Sequence, residues 1–431
     1  MKGFFSVLLL FMLCSTPAFA ADATGVDKGD TAWMLVSAAM VMLMTPGLAM
    51  FYGGMVRKKN VLATFMHSFV AIALVSVQWL FIGYSLSFGP DVHGLIGGLD
   101  WIGLNGVGVA PNADYAPTIP HLAFMIYQAM FAVITPALIS GAFAERMKFS
   151  SFLIFTLIWT TVVYNPVAHW VWGKGGWMAN MGVLDFAGGI VVHITSGFSA
   201  LAAALALGKR KGFPHESMPP HNLPLTVIGT GLLWFGWFGF NGGSALSSGQ
   251  LSVMAFVTSH TAAVAAVVVW LAIEWIHRGK PTMFGSATAS IAGLATITPA
   301  AGFVSPMSAF AIGMLAGSVC YFALNMKSHL GYDDSLDAFG VHGVGGTIGT
   351  ISVGIFASLA INEHGANGLI HGQYHLLLAQ LGAVAVVALY SFGLTFGIFK
   401  IIDATMGLRV QHDQEIEGLD VTQHGESGYY L

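Results

Sequence analysis

The sequence predicts an all-α polytopic membrane protein of about eleven transmembrane helices, with its N-terminus outside and its C-terminus in the cytoplasm. Three observations carry this. Only 8% of the residues are charged and 55% are hydrophobic, where a soluble domain carries roughly 25% charged residues. Apolar runs of near-spanning length follow one another along the chain. Positive charge falls almost entirely on one side of those runs. The net charge of −4 carries no basic excess for nucleic acid.

The elements follow in chain order. Residues 1–20 have the form of a cleaved signal peptide. Lys2 supplies the positive start, Phe4 to Leu13 a short apolar run, and Ala18-Phe19-Ala20 a small-residue cleavage site. The run is shorter than the ~17 residues a span needs. Cleavage removes Cys14 and leaves Cys320, so the mature chain forms no internal disulfide. The membrane region is expected over 21–404. Its spans are Trp33–Tyr52, Leu62–Leu86, Leu122–Phe143, Phe152–Ala168, Gly188–Gly208, Leu225–Phe240, Met254–Ile276, Thr282–Thr298, Ser305–Leu324, Ala338–Ile361 and Tyr374–Ile402. A membrane barrel would show alternating segments of ~10 residues instead. The polar, acidic segment 405–431 reads as a cytoplasmic tail.

Of the sixteen Lys and Arg, thirteen lie at or just after the ends of odd-numbered spans: Arg57, Lys58, Lys59, Arg146, Lys148, Lys209, Arg210, Lys211, Arg278, Lys280, Lys327, Lys400 and Arg409. Lys174 alone follows an even-numbered span. The bias agrees with the orientation that a cleaved signal requires.

Span five opens Asp185-Phe-Ala-Gly-Gly-Ile-Val-Val-His193, and span ten opens Asp337-Ala-Phe-Gly-Val-His342. Each has an acid, then glycine, then one histidine. An offset of five spans inverts one half relative to the other, which predicts an inverted five-plus-five repeat plus a final helix. Gly345 and Gly349 are spaced to let helix backbones approach.

Polar groups inside the bilayer are few, and each is a candidate for function. His193 and His342 could share a proton in a pore, or each could be satisfied by backbone carbonyls. Asp185 could bind a cation or cap the start of span five. A naked carboxylate would also hold K⁺ and Na⁺, so the supporting role is favoured. Trp172 offers a cation-attracting indole face, and equally suits an interfacial belt. By pattern alone Phe131 and Phe240 are ordinary apolar residues, and Ser244 is a loop hydroxyl or a ligand. His67, His169 and His260 favour structural roles. His371 and His375 have metal-compatible spacing, but no metal site is expected. His-Glu-x-x-His and Gly-x-Ser-x-Gly are absent, so the chain does not read as an enzyme and implies no cofactor.

Several stretches together resemble the ammonium transporter family, in its order and along nearly the whole mature chain. They are Pro46-Gly-Leu-Ala-Met-Phe-Tyr-Gly-Gly54, Phe131-Ala-Val-Ile-Thr-Pro136, Gly141-Ala-Phe-Ala-Glu-Arg146, Asp185-Phe-Ala-Gly-Gly189 with Val-Val-His193, Trp237-Phe-Gly-Phe-Asn241, Phe339-Gly-Val-His-Gly343 and Gly418-Leu-Asp420. The resemblance implies eleven helices, an inverted repeat and a homotrimer with one pore per subunit in the bacterial inner membrane. It implies ammonium recruitment at Phe131, Trp172 and Ser244, with Tyr127 as a further vestibule aromatic. Phe131 and Phe240 then match a stacked pore gate, His193 and His342 twin pore-lining histidines, and Asp185 the acid supporting the outer site. Passage would be as ammonia after deprotonation. The tail, through Gly407-Leu-Arg-Val410 and Gly418-Leu-Asp-Val421, resembles the segment through which a PII-type signal protein closes the pore. The alternatives are an ammonium receptor and a neutral-gas channel of the related Rhesus type.

Overall fold

A chain in lipid must satisfy its backbone polar groups within itself, so each long apolar run folds as a helix. The computed structural model describes residues 25–429, and the expected signal segment 1–20 lies outside them. Ten helices among the described residues are long and apolar enough to cross a membrane. They are α1 (Lys28–Met55), α2 (Lys58–Phe88), α3 (His121–Phe143), α4 (Phe149–Asn180), α5 (Gly189–Leu207), α6 (Leu223–Gly243), α7 (Gln250–Arg278), α9 (Pro306–Leu330), α10 (Phe339–Phe356) and α11 (His375–Met406). The eighth expected span is the shorter α8 (Met283–Ile297), at 15 residues.

That short helix is built from small residues and lies almost wholly inside the bundle. Its N-terminus is closed by Thr282, whose hydroxyl accepts the Gly285 N–H at 2.9 Å. Glu274 of α7 accepts the Thr282 N–H at 2.9 Å. The fourth span runs further than its sequence pattern suggests, because α4 carries polar Asn165 and His169 at buried positions. Trp172 therefore stands within α4 rather than beyond it.

α1 packs most extensively on α6, and α5 and α10 cross at the centre. Exposed apolar side chains such as Val268, Trp275, Met307, Phe322, Leu389 and Ile401 mark α7, α9 and α11 as peripheral. The central crossing depends on glycine. A methyl group on Gly197 would lie 2.1 Å from the Gly343 nitrogen, and one on Gly346 would lie 2.8 Å from His193 Cβ. Gly197 follows His193 and Gly346 follows His342 by one helical turn, and each seats against the other histidine's segment. Gly349 meets α8 as closely, 1.9 Å from the Thr296 carbonyl oxygen to an added Cβ.

The repeat is visible at the starts of α5 and α10. Asp185 Oδ1 accepts the Gly189 N–H and Oδ2 the Ile190 N–H, at 2.7 and 2.8 Å. Asp334 Oδ1 accepts the Ala338 N–H and Oδ2 the Phe339 N–H, at 3.1 and 2.8 Å. Each acid thus reaches the fourth and fifth residues after it, and each precedes its histidine by the same interval. Asp334, rather than Asp337, is the counterpart of Asp185. The sequence echo named Asp337, which instead pairs with Lys327.

Two short hairpins cover the end of the bundle away from the basic residues. One joins β1 (Asp91–Val92) to β2 (Ile96–Gly97), the other β3 (Pro111–Asn112) to β4 (Ala116–Pro120). The opposite, basic face carries α12 (His412–Glu417) and α13 (Leu419–His424), docked against the membrane helices. There Leu419 N–H donates to Asn60 and Ala63 N–H donates to Asp420, each at 2.8 Å. Glu415 accepts from the Lys211 N–H at 2.8 Å and from Arg409 at 2.7 Å.

Candidate functional site

Two cavities lie in line between the hairpins and the middle of the bundle, separated by a pair of aromatic rings. The outer one, a vestibule of about 290 Å³, is lined by Phe131, Trp172, Ser244, Gln128, Asp185 and Tyr115, among others. The inner one is narrow and mostly apolar. Phe240, His193 and His342 line it with Met44, Leu48, Ile134, Leu138, Leu233, Trp237 and Ile291.

The separating rings are Phe131 on α3 and Phe240 on α6. Their centroids lie 4.2 Å apart, and both side chains are buried. Phe131 faces the vestibule and Phe240 the inner cavity, so the pair closes the passage. Trp172 stands edge-on to Phe131, with centroids 5.9 Å apart. Its indole N–H donates to the Asp185 carbonyl at 2.9 Å. The polar edge of the indole is thereby occupied and the π face is left for the vestibule.

Asp185 is fully engaged. Oδ1 accepts from the N–H groups of Gly188 and Gly189, and Oδ2 from those of Ile190 and Val191, at 2.7–3.1 Å. An ionised carboxylate has about four acceptor positions, so this one has no capacity left to ligate a cation. It satisfies orphan donors at the start of α5, where a negative charge also meets the helix dipole. Gly188, at φ 111°, supplies the left-handed turn that brings those N–H groups together. Gln380 clamps the preceding residue, accepting the Leu184 N–H at 2.9 Å and donating to its carbonyl at 2.7 Å.

Tyr127 is placed differently from the expectation of a vestibule aromatic. It is completely buried behind the vestibule wall. Its hydroxyl lies 2.7 Å from the Phe240 carbonyl, 3.0 Å from the Gly239 carbonyl and 3.1 Å from Ser244 Oγ. Ser244 Oγ lies 2.8 Å from the Phe240 carbonyl. Tyr127 thus holds the end of α6 and the serine in place, and does not itself face the cavity.

The two histidines come together on the inner side of the Phe131–Phe240 pair. His193 Nδ1 and His342 Nδ1 are 3.2 Å apart, and the rings are nearly coplanar at 16°. Each sits in a π-helical turn, Gly189–Ile194 and Phe339–Gly343. The extra residue in such a turn re-aims the side chain, and π turns recur at functional sites. One proton between two Nδ1 atoms forces unlike tautomers. The ring that donates from Nδ1 presents a bare Nε2 acceptor, and the other carries its proton on Nε2. Nε2 of His193 meets no protein partner among the described residues. The His193 ring lies over Trp237 at 5.7 Å and toward Phe240 at 6.2 Å, nearly parallel to the first. Trp237 is fixed by its N–H bond to Thr298 Oγ1 at 2.9 Å.

Sequence reasoning missed Gln128 and Trp237 as parts of the site. Gln128 is buried, lines the vestibule, and its Oε1 has no partner among the described residues. Its signal was a lone amide within the apolar run of α3, three residues before Phe131. Trp237 was visible only inside a matching motif.

At the basic face an ion network joins the loops to the tail. Glu145 accepts from the Arg57 N–H at 2.6 Å and from Arg57 Nε at 2.9 Å, and pairs with Arg210 at 3.2 Å. Burial disfavours the Glu145 charge, but Arg210 and Arg57 outweigh it and hold the carboxyl below the usual range. Asp333 is likewise held low against its burial by Arg210, at 2.8 Å. Burial pushes Asp334 up to about 6, with Lys327 opposing. No cluster of three metal-binding side chains occurs among the described residues.

A sequence model of the Ammonium Transporter Family matches residues 32–429. An ammonium transporter of Bacillus subtilis (strain 168) is 52% identical over 404 residues, covering 94% of this chain and 99% of that one. Ammonium transporter Amt1 of Archaeoglobus fulgidus is 49% identical, covering 94% and 100%. Among solved structures, Saccharomyces cerevisiae Mep2 superposes with a TM-score of 0.86 at 36% identity, covering 91% of this chain and 89% of that one. A sensor Amt protein superposes at 0.85 with 32% identity, covering 92% and 98%.

Proposed function

The chain belongs to the ammonium transporter family, and on that premise we propose that it carries ammonium selectively through the path of vestibule, aromatic gate and histidine pair. It is a multi-pass membrane protein and not an enzyme. The observation that carries the mechanism is the in-line order of Trp172, Phe131, Phe240, His193 and His342.

Ammonium reaches the vestibule from outside. The ring faces of Trp172 and Phe131 replace part of its water, each such contact contributing roughly 0.5–2 kcal/mol. Ser244 Oγ and Gln128 Oε1 supply acceptors for its N–H bonds. Asp185 acts indirectly, by fixing the loop whose carbonyl holds Trp172. The gate rings must part for passage. Beyond them the lining is apolar, so a bare ion is disfavoured there. Ammonium can enter by giving up its proton, which K⁺ cannot do. A histidine pair with one bare Nε2 and one Nε2–H can accept and release that proton, or line the path of neutral ammonia. The assembly is a homotrimer in a bacterial inner membrane, with the vestibule outside, the basic face in the cytoplasm and residues 1–20 removed. The docked tail is the contact point for a PII-type signal protein.

His342→Ala tests the histidine role. The reconstituted variant should fold, yet lose ammonium current or its exclusion of K⁺. Unchanged current together with unchanged K⁺ exclusion would remove the histidines from the mechanism. The likeness to a sensor Amt protein favours a second reading, ammonium sensing without flux. Under that reading the wild-type protein would bind ammonium and carry no current.

A further inference from the structure

His169 lies one helical turn before Trp172 and is completely buried. Its Nδ1 is 3.0 Å from the Ser87 carbonyl and its Nε2 is 2.9 Å from Asp91 Oδ1. A carbonyl oxygen only accepts, so Nδ1 carries a proton. An ionised carboxylate only accepts, so Nε2 carries one too. Only an imidazolium serves both acceptors in full. The His169 hydrogen bond, helped by the Gly94 N–H, holds the Asp91 carboxyl below the usual range against its desolvation.

This pair joins three elements. Ser87 lies in the last turn of α2, Asp91 opens the β1–β2 hairpin, and His169 lies in the turn of α4 just before its break at Gly173. The same hairpin takes the Trp170 indole N–H at Leu95 O, 2.7 Å, and offers Gly94 O to the Trp177 backbone N–H, 3.1 Å. A Cβ on Gly173 would meet His169 Nδ1 at 2.4 Å, and one on Gly175 would meet Asp91 Cβ at 2.7 Å. The chain just after Trp172 is thus pressed onto both members of the pair. The other titratable groups facing this region are few. On the hairpin there is His93. On the neighbouring loop are Asp114, paired with Lys174, and Tyr115, which donates to Phe88 O and accepts the Lys174 N–H. At the end of α2 is Tyr84, hydrogen-bonded to His121 at 2.5 Å.

The geometry points to His169 as a positioning residue for ammonium recruitment, a buried imidazolium that clamps the hairpin to α4 and holds Trp172, so that alkaline external pH loosens the site. A neutral imidazole has one N–H for two acceptors, and one hold is lost. This rests on the transport reading above, and goes beyond it by making the affinity for ammonium, and not only its supply, depend on external pH.

The test uses the full protein in proteoliposomes. The ammonium ion concentration is held constant at each point while external pH is stepped from about 5 to about 9, across the histidine range. The wild type should show an apparent KM for ammonium that rises roughly two- to tenfold through one transition, the scale of one lost hydrogen bond. Asp91→Asn removes the charge that retains the proton and should move the transition down by about one pH unit or more. His169→Gln should abolish the transition, and His93→Gln should leave it in place. A KM independent of pH in the wild type, or a transition that Asp91→Asn does not move, overturns the proposal. If His169→Gln fails to fold, the Asp91→Asn shift still decides. Absence of any ammonium current overturns the transport reading itself. A saturable current with a flat KM overturns this inference alone.

Discussion

A single methyl group at Gly197 should disable the pore without replacing any side chain that lines it. The added Cβ would lie 2.1 Å from the Gly343 nitrogen and 2.2 Å from its Cα, where ordinary contact begins near 3.4 Å. Both neighbouring atoms are backbone, so no rotamer change relieves the clash. The α5–α10 crossing must open by more than about 1 Å. The histidine Nδ1 atoms, now 3.2 Å apart, would then lie beyond hydrogen-bonding range. Overpacking of this kind costs about 1–3 kcal/mol. Gly197→Ala should therefore lower the unfolding temperature and reduce ammonium current by at least about tenfold, equivalent to ~1.4 kcal/mol. Gly382→Ala on α11 is the control, since nothing lies within 4 Å of its added Cβ. The assay is current across proteoliposomes at matched protein loading. A Gly197→Ala protein with wild-type current and wild-type K⁺ exclusion would refute the idea that this crossing sets the pore geometry.

Asp185→Asn replaces an oxygen that accepts two N–H bonds with an amide that accepts none. Each charge-assisted bond contributes roughly 1.5–3 kcal/mol, so thermal stability should drop and transport should be largely lost; a stable, active variant would contradict the capping role. Trp172→Leu should raise the half-saturating ammonium concentration by roughly two- to thirtyfold, from the cation–π range, and an unchanged value would exclude the indole from recruitment. Burial raises the Asp334 carboxyl from 3.8 to about 6, so the folded state binds a proton more tightly than the unfolded state between those values. Stability should therefore fall as pH rises from about 4 to about 6. In thermal unfolding, Asp334→Asn should flatten that part of the profile, and an unaltered slope would assign it to another group.

The helical architecture was legible because lipid imposes it. Low charge, spanning apolar runs and one-sided lysines and arginines are all properties of the linear chain. Less visible were features that depend on which helices meet. The shortness of α8 follows from its burial among other helices, and sequence hydrophobicity does not distinguish that from facing lipid. The extension of α4 to Trp172 depends on partners for Asn165 and His169 that lie on the α2 end and the hairpin. The acid–histidine echo was legible in kind but misplaced in register, because Asp337 stands nearer its glycine than Asp334 does. Only the N–H bonds at Ala338 and Phe339 show which acid caps α10. Phe131, Phe240 and Trp172 were indistinguishable from ordinary apolar residues by pattern, and only the family resemblance singled them out. Tyr127 was placed in the vestibule from its position in the motif. Its hydroxyl finds the Gly239 and Phe240 carbonyls instead, a partner choice that no local pattern encodes. Gln128 had a readable signal, a lone amide in an apolar helix, beside more conspicuous histidines.

The most direct measurement is the current carried by the purified wild-type protein in proteoliposomes, pulsed first with ammonium and then with K⁺. A saturable ammonium current and no K⁺ current are expected, since only ammonium can shed a proton at the histidine pair. A K⁺ current of similar size would contradict selection by deprotonation. No ammonium current, with internal alkalinisation at the lipid-only rate, would contradict transport itself.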